Sequence, residues 1–368
     1  MKILFIMPWK PGLGCIKKWL ENLTKEMEEL GHKTYILSPY RFPKPLDKIA
    51  VFLIYPPFIY DKLGMLWEFI TKSLIYLPLA LLLAILYDSM ISFYPPDSFI
   101  LQLFFKLLGK KNFSVVHQAR DERNVGIRLS LWKIHYKLAD GVIAISKSAK
   151  KDVEGIYEVK REKITTIYNG LNLNEFKNLK NELEIEGKPA LLYVGKLERV
   201  KGPDILLEAF AIVKKHCKEA FLHILGDGSM RSDLIEQVKK LGLEDSVKFY
   251  GIVVPPYSYM KAADILVIPS RYDALPTVAL EGMACGVPIV ASNVGGLREI
   301  ILDGENGLKA KPEPEDIAEK IIFLWKNDKL RKEISSRQRE FIKDFTWKRA
   351  AIEYLNYMAN LKEVTSLS

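Results

Sequence analysis

Short apolar runs alternate with amphipathic segments along the chain, a pattern typical of a mostly parallel β-sheet with helices between its strands. The run Lys2–Met7 is followed by a glycine-containing loop, a helix pattern over Ile16–Leu30 and a second strand. The same order begins again at Pro189, in PALLYVGKLERVKGPDILLEAF. Between the two halves, Leu171–Gly187 is polar and has no strand pattern, so we predict a linker. The sequence therefore predicts two consecutive doubly wound α/β domains with a cleft between them.

One uninterrupted apolar stretch departs from this alternation. Ser73–Tyr87 contains no charged residue, but it is shorter than the roughly 20 residues that a membrane-spanning helix needs, and it contains Pro78. We favour a helix buried against the sheet over a membrane span. A helix that lies in the membrane interface beside basic residues is a third interpretation.

Composition and charge narrow the class of partner. The chain has 368 residues, of which 49% are hydrophobic and 27% charged, as expected for a globular protein of two domains or of one large α/β domain. Its net charge of +9 suits nucleotide phosphates or anionic lipid headgroups, although a lysine-rich surface explains it equally well. Nucleic-acid binding ranks last, because the basic residues form no patch interleaved with aromatic ones.

The cysteines and the first residues of the chain indicate the cellular compartment of the protein. Cys15, Cys217 and Cys285 are far apart and odd in number, which argues against a disulfide framework and against structural zinc. The first residues, MKILFIMPWK, have the pattern of a strand and not of a signal peptide. We therefore expect a reducing, cytoplasmic setting.

The loop GKLERVKG, from Gly195 to Gly202, follows an apolar strand and precedes a helix. It presents Lys196, Arg199 and Lys201. Cations at the carboxyl end of a strand can hold a diphosphate and stabilise its charge as it leaves. The alternative is a solvated basic loop.

The stretch PSRYDALPTVALEGMACGVPIVAS, Pro269–Ser292, predicts a strand, a loop, a helix and another strand. Pro276 is predicted to be the first helical residue, and Gly286 to end the helix. Asp273 lies in the loop and Glu281 in the helix; carboxylates accept paired hydrogen bonds from vicinal hydroxyls, which suits a sugar or a ribose. The free N–H groups at the helix start suit a phosphate. As alternatives, Asp273 is an ordinary loop acid and Glu281 complements the helix dipole.

His117 ends an apolar strand of the first half and is followed by Gln118. A histidine at this place is a substrate contact or a general base, or, more commonly, a structural side chain held by hydrogen bonds. The remaining histidines give no metal spacing, and the chain has no Walker A loop, no nucleophile elbow and no HExxH. We therefore predict no metal site and no cofactor.

In their order and spacing these motifs resemble the retaining glycosyltransferases of family 4, the glycosyl transferases group 1. The resemblance rests on NGLNLNEF, on VGKLERVKGPDILLEAF, on LGDGS, on the YG of KFYG and on the run from Pro269 through VGGLREII. It is strong from Asn169 to Gly307 and looser before. It implies a GT-B fold, with two facing Rossmann-like domains, and a nucleotide-diphosphate sugar as donor substrate. It also implies transfer with retention at the anomeric carbon and without a metal.

The resemblance also implies roles for individual residues. Lys196 and Lys201 would stabilise the departing diphosphate, Glu281 would anchor the ribose, Asp273 would orient the sugar, and His117 would orient the sugar or the acceptor. In the family both acids are glutamates and the loop pair is arginine then lysine, so Asp273 is one methylene shorter and Lys196 lacks the guanidinium fork. The other implied donor contacts are Gly14, Gly195, Ile252, Ala274, Leu275, Pro276, Thr277 and Val278.

The predicted domains are 1–170, a Rossmann-like acceptor domain, and 171–346, a Rossmann-like donor domain; a helix at about 347–368 is expected to pack back on the first. We expect a membrane lipid or a lipid-linked glycan as acceptor, with the enzyme peripheral at the inner face of the membrane. Two alternatives stay open. One is an inactive glycosyltransferase-like scaffold subunit, suggested by Lys196, Asp273 and Gln118. The other is a GT-B sugar-nucleotide epimerase.

Overall fold

The protein is described by a computed structural model that covers residues 1–6, 15–38, 50–52, 80–92, 95–117, 126–177, 179 and 183–364. The chain divides into two compact units. Met1–Gly170 together with Trp347–Ser368 forms the first unit, and Leu171–Thr346 forms the second.

The first unit is built on a parallel sheet whose described strands follow the order β3-β2-β1-β4-β5-β6-β7. Where the connections between the strands are described they contain helices, as parallel pairing requires. The strands are β1 (Lys2–Ile6), β2 (Lys33–Ser38), β3 (Ala50–Phe52), β4 (Ser89–Ser92), β5 (Lys111–Val116), β6 (Gly141–Ala144) and β7 (Ile164–Thr166). The helices are α1 (Cys15–Glu29), α2 (80–86), α3 (Pro95–Leu107), α4 (Ile127–Leu138) and α5 (Lys147–Tyr157).

The second unit repeats this architecture with the strand order β10-β9-β8-β11-β12-β13, again all parallel. Its strands are β8 (Ala190–Val194), β9 (Phe221–Leu225), β10 (Val247–Gly251), β11 (Ile265–Ile268), β12 (Ile289–Ser292) and β13 (Leu308–Ala310). Its helices are α6 (Asn174–Lys177), α7 (Pro203–His216), α8 (Arg231–Lys240), α9 (Tyr257–Ala262), α10 (Thr277–Cys285), α11 (Leu297–Ile300), α12 (Pro314–Lys326) and α13 (Asp328–Phe341). The prediction of two doubly wound parallel sheets is confirmed.

The last helix, α14 (Trp347–Val364), belongs to the first unit and packs against α1. Its Tyr354 ring meets the Trp19 ring edge-on, with 6.2 Å between centroids. Further along the helix, the Tyr357 hydroxyl donates to the carbonyl oxygen of Lys163 at 2.7 Å. Tyr354 and Tyr357 thus both contact residues of the first unit. The helix therefore completes the core of that unit, although it lies at the other end of the sequence.

Two segments of the sequence prediction, the linker and the long apolar stretch, contain helices in the structure. The polar segment after residue 170 is more than a linker, because it forms the short helix α6, and Phe176 is buried there with its ring 4.5 Å from that of Tyr257. The apolar stretch 73–87 is described only from residue 80. There α2 buries Leu83 in the core and exposes Ile85. Within the ranges given above, none of the helices combines the length and apolar character that crossing a membrane requires.

Candidate active site

The strand order of the second unit reverses between β8 and β11, which lie side by side. From β8 the chain proceeds outward through β9 to β10, and from β11 it proceeds the other way through β12 to β13. At such a switch point the loops that leave the two central strands diverge and open a crevice, where ligands of α/β proteins bind. These two loops are the ones that the sequence singles out, GKLERVKG after β8 and SRYDALP after β11.

Glycines hold these loops together. Gly202 has a φ of +68°, and a Cβ added to it would lie 2.1 Å from the carbonyl oxygen of Pro269. Gly295, in the loop after β12, has a φ of +49°, and its Cβ would lie 1.9 Å from the carbonyl oxygen of Asp273. The neighbouring Gly296 donates its N–H to that same oxygen at 2.8 Å. No side chain fits at these contacts, so the backbone that carries Asp273 is fixed from two sides.

Lys201 and Asp273 meet at the centre of this arrangement. The Lys201 Nζ lies 2.5 Å from the Asp273 Oδ2, and the side chains are 31% and 10% exposed. Lys201 is the last residue of a 3₁₀ turn, Arg199–Lys201, that leads into α7. Burial raises the pKa of the Asp273 carboxyl, while the Lys201 ammonium and the N–H groups of Leu275 and Ala274 oppose the rise. The structure thus joins two of the residues that the sequence proposed separately.

A second ion pair, which sequence reasoning missed, lies next to the first. Arg271 donates from Nη1 and Nη2 to the two carboxylate oxygens of Asp204, at 2.7 and 2.6 Å. Burial acts to raise the pKa of Asp204, but the hydrogen bonds and charge of Arg271, together with the backbone N–H groups of Asp204 and Ile205, outweigh it and leave that pKa below its ordinary value. Arg271 lies two residues before Asp273 in the sequence, yet its partner Asp204 lies 67 positions before Arg271. Only the fold could reveal the pairing.

Lys196 occupies a different environment from Lys201. Its side chain is 74% exposed, and its Nζ lies 3.6 Å from the Glu198 carboxylate, which is exposed as well. The backbone is the better fixed part of the residue, because its carbonyl oxygen accepts a hydrogen bond from the Tyr193 hydroxyl at 2.8 Å. The structure therefore does not bring the Lys196 side chain to the pair that Lys201 and Asp273 form.

The helix α10 begins one residue later than the sequence predicted. Pro276 is the N-cap, with a φ of −73°, and Thr277 is the first helical residue. The helix ends as predicted at Gly286, which has a φ of +76°. No side chain among the described residues caps the start of α10 by a hydrogen bond. Ala274, Leu275 and Pro276 are buried, whereas Thr277 and Val278 are partly exposed.

Glu281 lies on α10 beside α9 and is partly buried. Burial, followed by the charge of Glu281, raises the pKa of the Tyr257 hydroxyl well above its ordinary value. That hydroxyl donates to the Glu175 Oε2 at 3.1 Å. Two carboxylates therefore act on Tyr257, Glu281 through its charge and Glu175 through a hydrogen bond. Glu175 belongs to the NLNEF segment, which the sequence did not single out as a site.

The remaining predicted contacts are spread over both units. Ile252 follows β10 in the second unit and is 69% exposed. His117, at the end of β5 in the first unit, meets the Trp19 ring edge-on at 5.2 Å between centroids, and burial lowers its pKa to about 4. Gly195 follows β8 directly, and Gly14 and Gln118 lie outside the described residues. The described residues contain no group of three His, Cys, Asp or Glu arranged to hold a metal ion.

Known proteins resemble both units. Residues 175–341 match the family model of the glycosyl transferases group 1, and residues 16–175 match that of glycosyltransferase family 4. An uncharacterized glycosyltransferase of Methanocaldococcus jannaschii is 35% identical over 220 residues, 58% of each chain. The D-inositol 3-phosphate glycosyltransferase of Xylanimonas cellulosilytica is 27% identical over 240 residues, 60% of this chain and 57% of that protein. Each alignment thus spans less than two thirds of the relative's length.

Solved structures share the fold. A glycosyltransferase from Rickettsia africae superposes with a TM-score of 0.79 at 20% identity, over 98% of both chains. The Anabaena protein HepE in complex with UDP superposes with a TM-score of 0.79 at 19% identity, over 98% of this chain and 100% of that one. The same Anabaena protein has also been solved with UDP-glucose. With both family models matched in sequence order and the GT-B fold present throughout, the chain belongs to the GT-B glycosyltransferases of the group 1 and family 4 type.

Proposed function

We propose that the protein moves a sugar from a nucleotide-diphosphate sugar to an acceptor hydroxyl, with retention at the anomeric carbon and without a metal ion. The observation that carries the proposal is the ion pair between Lys201 and Asp273 at the switch point, next to the start of α10. A cation and the N–H groups of a helix start suit a diphosphate, and a carboxylate suits sugar hydroxyls. The UDP and UDP-glucose bound to the Anabaena protein support a donor of this class.

In the proposed reaction, the bond between the anomeric carbon and the diphosphate oxygen breaks, and a bond from the acceptor oxygen forms on the same face. The acceptor proton passes to the departing diphosphate. Lys201 and the first N–H groups of α10 stabilise the negative charge that grows on the leaving group. Asp273 accepts from a sugar hydroxyl, Glu281 accepts from the ribose, and Lys196 adds positive charge at the rim. His117, with its pKa lowered to about 4, is neutral at pH 7 and serves by hydrogen bonding.

Binding and product analysis test the proposal together. We expect a panel of nucleoside diphosphates measured by calorimetry to reveal one preferred base, and Glu281→Gln to weaken that binding about tenfold. Glu319→Gln, at an exposed glutamate of α12, is the control. NMR of products formed with a lipid extract should show the donor's anomeric configuration preserved.

Specific outcomes would contradict each part. No binding of any nucleoside diphosphate would favour the scaffold alternative, and an altered nucleotide sugar formed without acceptor would favour the epimerase. Unchanged affinity in Glu281→Gln would remove that residue from the ribose. An inverted product would exclude retention.

A feature of α2 supports a membrane lipid or lipid-linked acceptor. One face of this helix is buried, while four apolar side chains on its other face are 40–56% exposed: Leu81, Leu82, Ile85 and Leu86. Lys110 places its ammonium at the end of the helix, where it donates to the carbonyl oxygens of Ile85 and Tyr87 at 2.7 and 2.6 Å. An exposed apolar face beside a cation suits the interface of an anionic membrane.

Vesicle flotation tests whether the exposed face of α2 binds a membrane. We expect the protein to float with vesicles that contain anionic lipid at low salt, and Leu82→Ser combined with Ile85→Ser to reduce the floating fraction severalfold. The control combines Ile235→Ser and Leu241→Ser, at two exposed apolar positions of the second unit. Protein that stays with the soluble fraction, or a double variant that floats like the unchanged protein, would refute the membrane surface.

A further inference from the structure

We infer that Arg271 is a positioning residue for the transfer reaction, because its clamp onto Asp204 keeps the two loops of the switch point in register when the donor engages Lys201. This inference rests on the proposed function. It concerns the loop after β8, which ends in Lys201, and the loop after β11, which carries Asp273.

Two ion pairs join these loops in opposite directions. Lys201, from the loop after β8, reaches Asp273 in the loop after β11. Arg271, from the loop after β11, reaches back to Asp204 in the first turn of α7. Both pairs have N–O distances below 3 Å, and the Arg271 and Asp204 side chains are 33% and 21% exposed. Crossed bridges of this kind resist sliding of one loop along the other.

Arg271 also holds the 3₁₀ turn that presents Lys201. Its Nη1 donates to the carbonyl oxygen of Arg199 at 2.7 Å. Its backbone N–H donates to the carbonyl oxygen of Val200 at 2.9 Å. With the two bonds to Asp204, one arginine therefore holds the chain on both sides of Lys201, at Arg199 and Val200 before it and at Asp204 three residues after it.

The two bridges respond differently to a diphosphate. A lysine ammonium is a point charge with rotatable donors, so Lys201 can turn from Asp273 to the phosphate oxygens. As it does so, the contact that it makes between the loops weakens. The guanidinium of Arg271 is bound at both of its Nη nitrogens, and the pKa of Asp204 is lowered, so this carboxylate stays ionised and keeps its partner. The loops thus stay aligned at the step where charge develops on the leaving group.

The chain offers a matched control for this clamp. Arg331 donates to a carboxylate, Asp328, at 3.0 Å and to the carbonyl oxygens of Leu324, at 2.9 Å, and Trp325. It has the same types of partner as Arg271, but it joins α12 to α13 and lies outside the switch-point loops. Arg331→Ala therefore shows how much the removal of a similar arginine changes hydrogen exchange and kcat when no loop of the proposed site is involved.

Hydrogen exchange and kinetics decide the inference. In Arg271→Ala we expect faster exchange at the amides of Lys201, of Gly202 and of position 271, and a kcat for donor turnover roughly tenfold lower with a smaller change in KM. Arg271→Lys should recover part of the loss, because lysine still pairs with Asp204 but cannot also bridge to Arg199. The loss of kcat in Arg271→Ala combined with Asp204→Ala should be smaller than the product of the two single losses, because both substitutions remove the bridge between these side chains.

The outcomes separate this inference from the proposed function. Unchanged exchange at the three amides overturns the clamp whether or not any donor binds. Faster exchange with kcat equal to that of Arg331→Ala shows a structural brace and overturns the positioning role. If the unchanged protein binds no nucleoside diphosphate, the proposed function fails and the positioning role fails with it, while the exchange result still decides whether the brace exists.

Discussion

The ends of β11 and β5 provide two similar positions with opposite electrostatics. Both strands are buried in a parallel sheet, and each is followed by a titratable side chain. Asp273 lies a few residues after β11, and His117 lies immediately after β5. Asp273 is met by the Lys201 ammonium and by backbone N–H groups. His117 is met by the edge of Trp19, and burial lowers its pKa to about 4. The fold supplies the place, and the neighbouring residues determine whether a charge can be kept there.

Removing the cation at the end of β11 is expected to have the largest effect. In Lys201→Ala the leaving diphosphate loses its closest positive charge, and we expect turnover to fall by about 100-fold, or about 2.7 kcal/mol of transition-state stabilisation. The Asp273 carboxyl loses one of the groups that oppose the rise of its pKa, so that pKa rises further. Steady-state kinetics between pH 5 and pH 9 measure both effects.

Lys214→Ala is the control for this variant. The Lys214 Nζ donates to the carbonyl oxygen of Ala220, in the same unit but on the helix α7. Thermal unfolding of both variants shows whether a lost rate reflects a lost fold. A turnover in Lys201→Ala equal to that of Lys214→Ala would remove Lys201 from catalysis and make the difference between the two strand ends irrelevant to function.

The sequence predicted the sheets, the two loops and their acids, because each follows from local patterns of apolar residues, glycines and charges. It could not distinguish Lys196 from Lys201, since both stand in one short basic loop. Their difference arises from the 3₁₀ turn, which directs Lys201 toward a residue 72 positions away. The pairing of Arg271 with Asp204 was equally out of reach, because no local pattern relates residues 67 positions apart. His117 looked polar in sequence and proved to be packed against an aromatic ring.

A change of pH tests the other strand end. The pKa of His117 is lowered to about 4, and that of His135, buried in the same unit, to about 3. Between pH 6.5 and pH 4 the unfolded chain therefore binds protons at these histidines that the folded chain does not. Their contribution to the free energy of unfolding is fully present above pH 6.5 and is lost as the pH falls. At pH 5 we expect each histidine to cost about 2 kcal/mol relative to pH 8, measured by urea unfolding.

His117→Gln should remove its own contribution of about 2 kcal/mol. His216→Gln, at an exposed histidine that ends α7, is the control and should leave the difference between pH 5 and pH 8 unchanged. NMR titration of the imidazole C–H signals gives the same answer without unfolding. A His117 ring that titrates near pH 6.5 would show that the end of β5 is open to water. The two strand ends would then differ in partner only, and His117 would again be suited to act as a general base at neutral pH.

The smallest effect is expected for Lys196, the first lysine of the loop that also contains Lys201. Its side chain is 74% exposed and its ammonium lies near an exposed carboxylate, so solvent screens the charge. We expect Lys196→Ala to lower turnover by about threefold or less, and the loss to shrink further as salt is raised. If Lys196→Ala instead matches Lys201→Ala, the donor must draw Lys196 inward, and the exposed position describes only the ligand-free loop. The turnover of both variants is therefore measured at two salt concentrations. We expect the loss in Lys196→Ala to depend on salt more strongly than the loss in Lys201→Ala, because only Lys201 is held beside Asp273 before the donor binds.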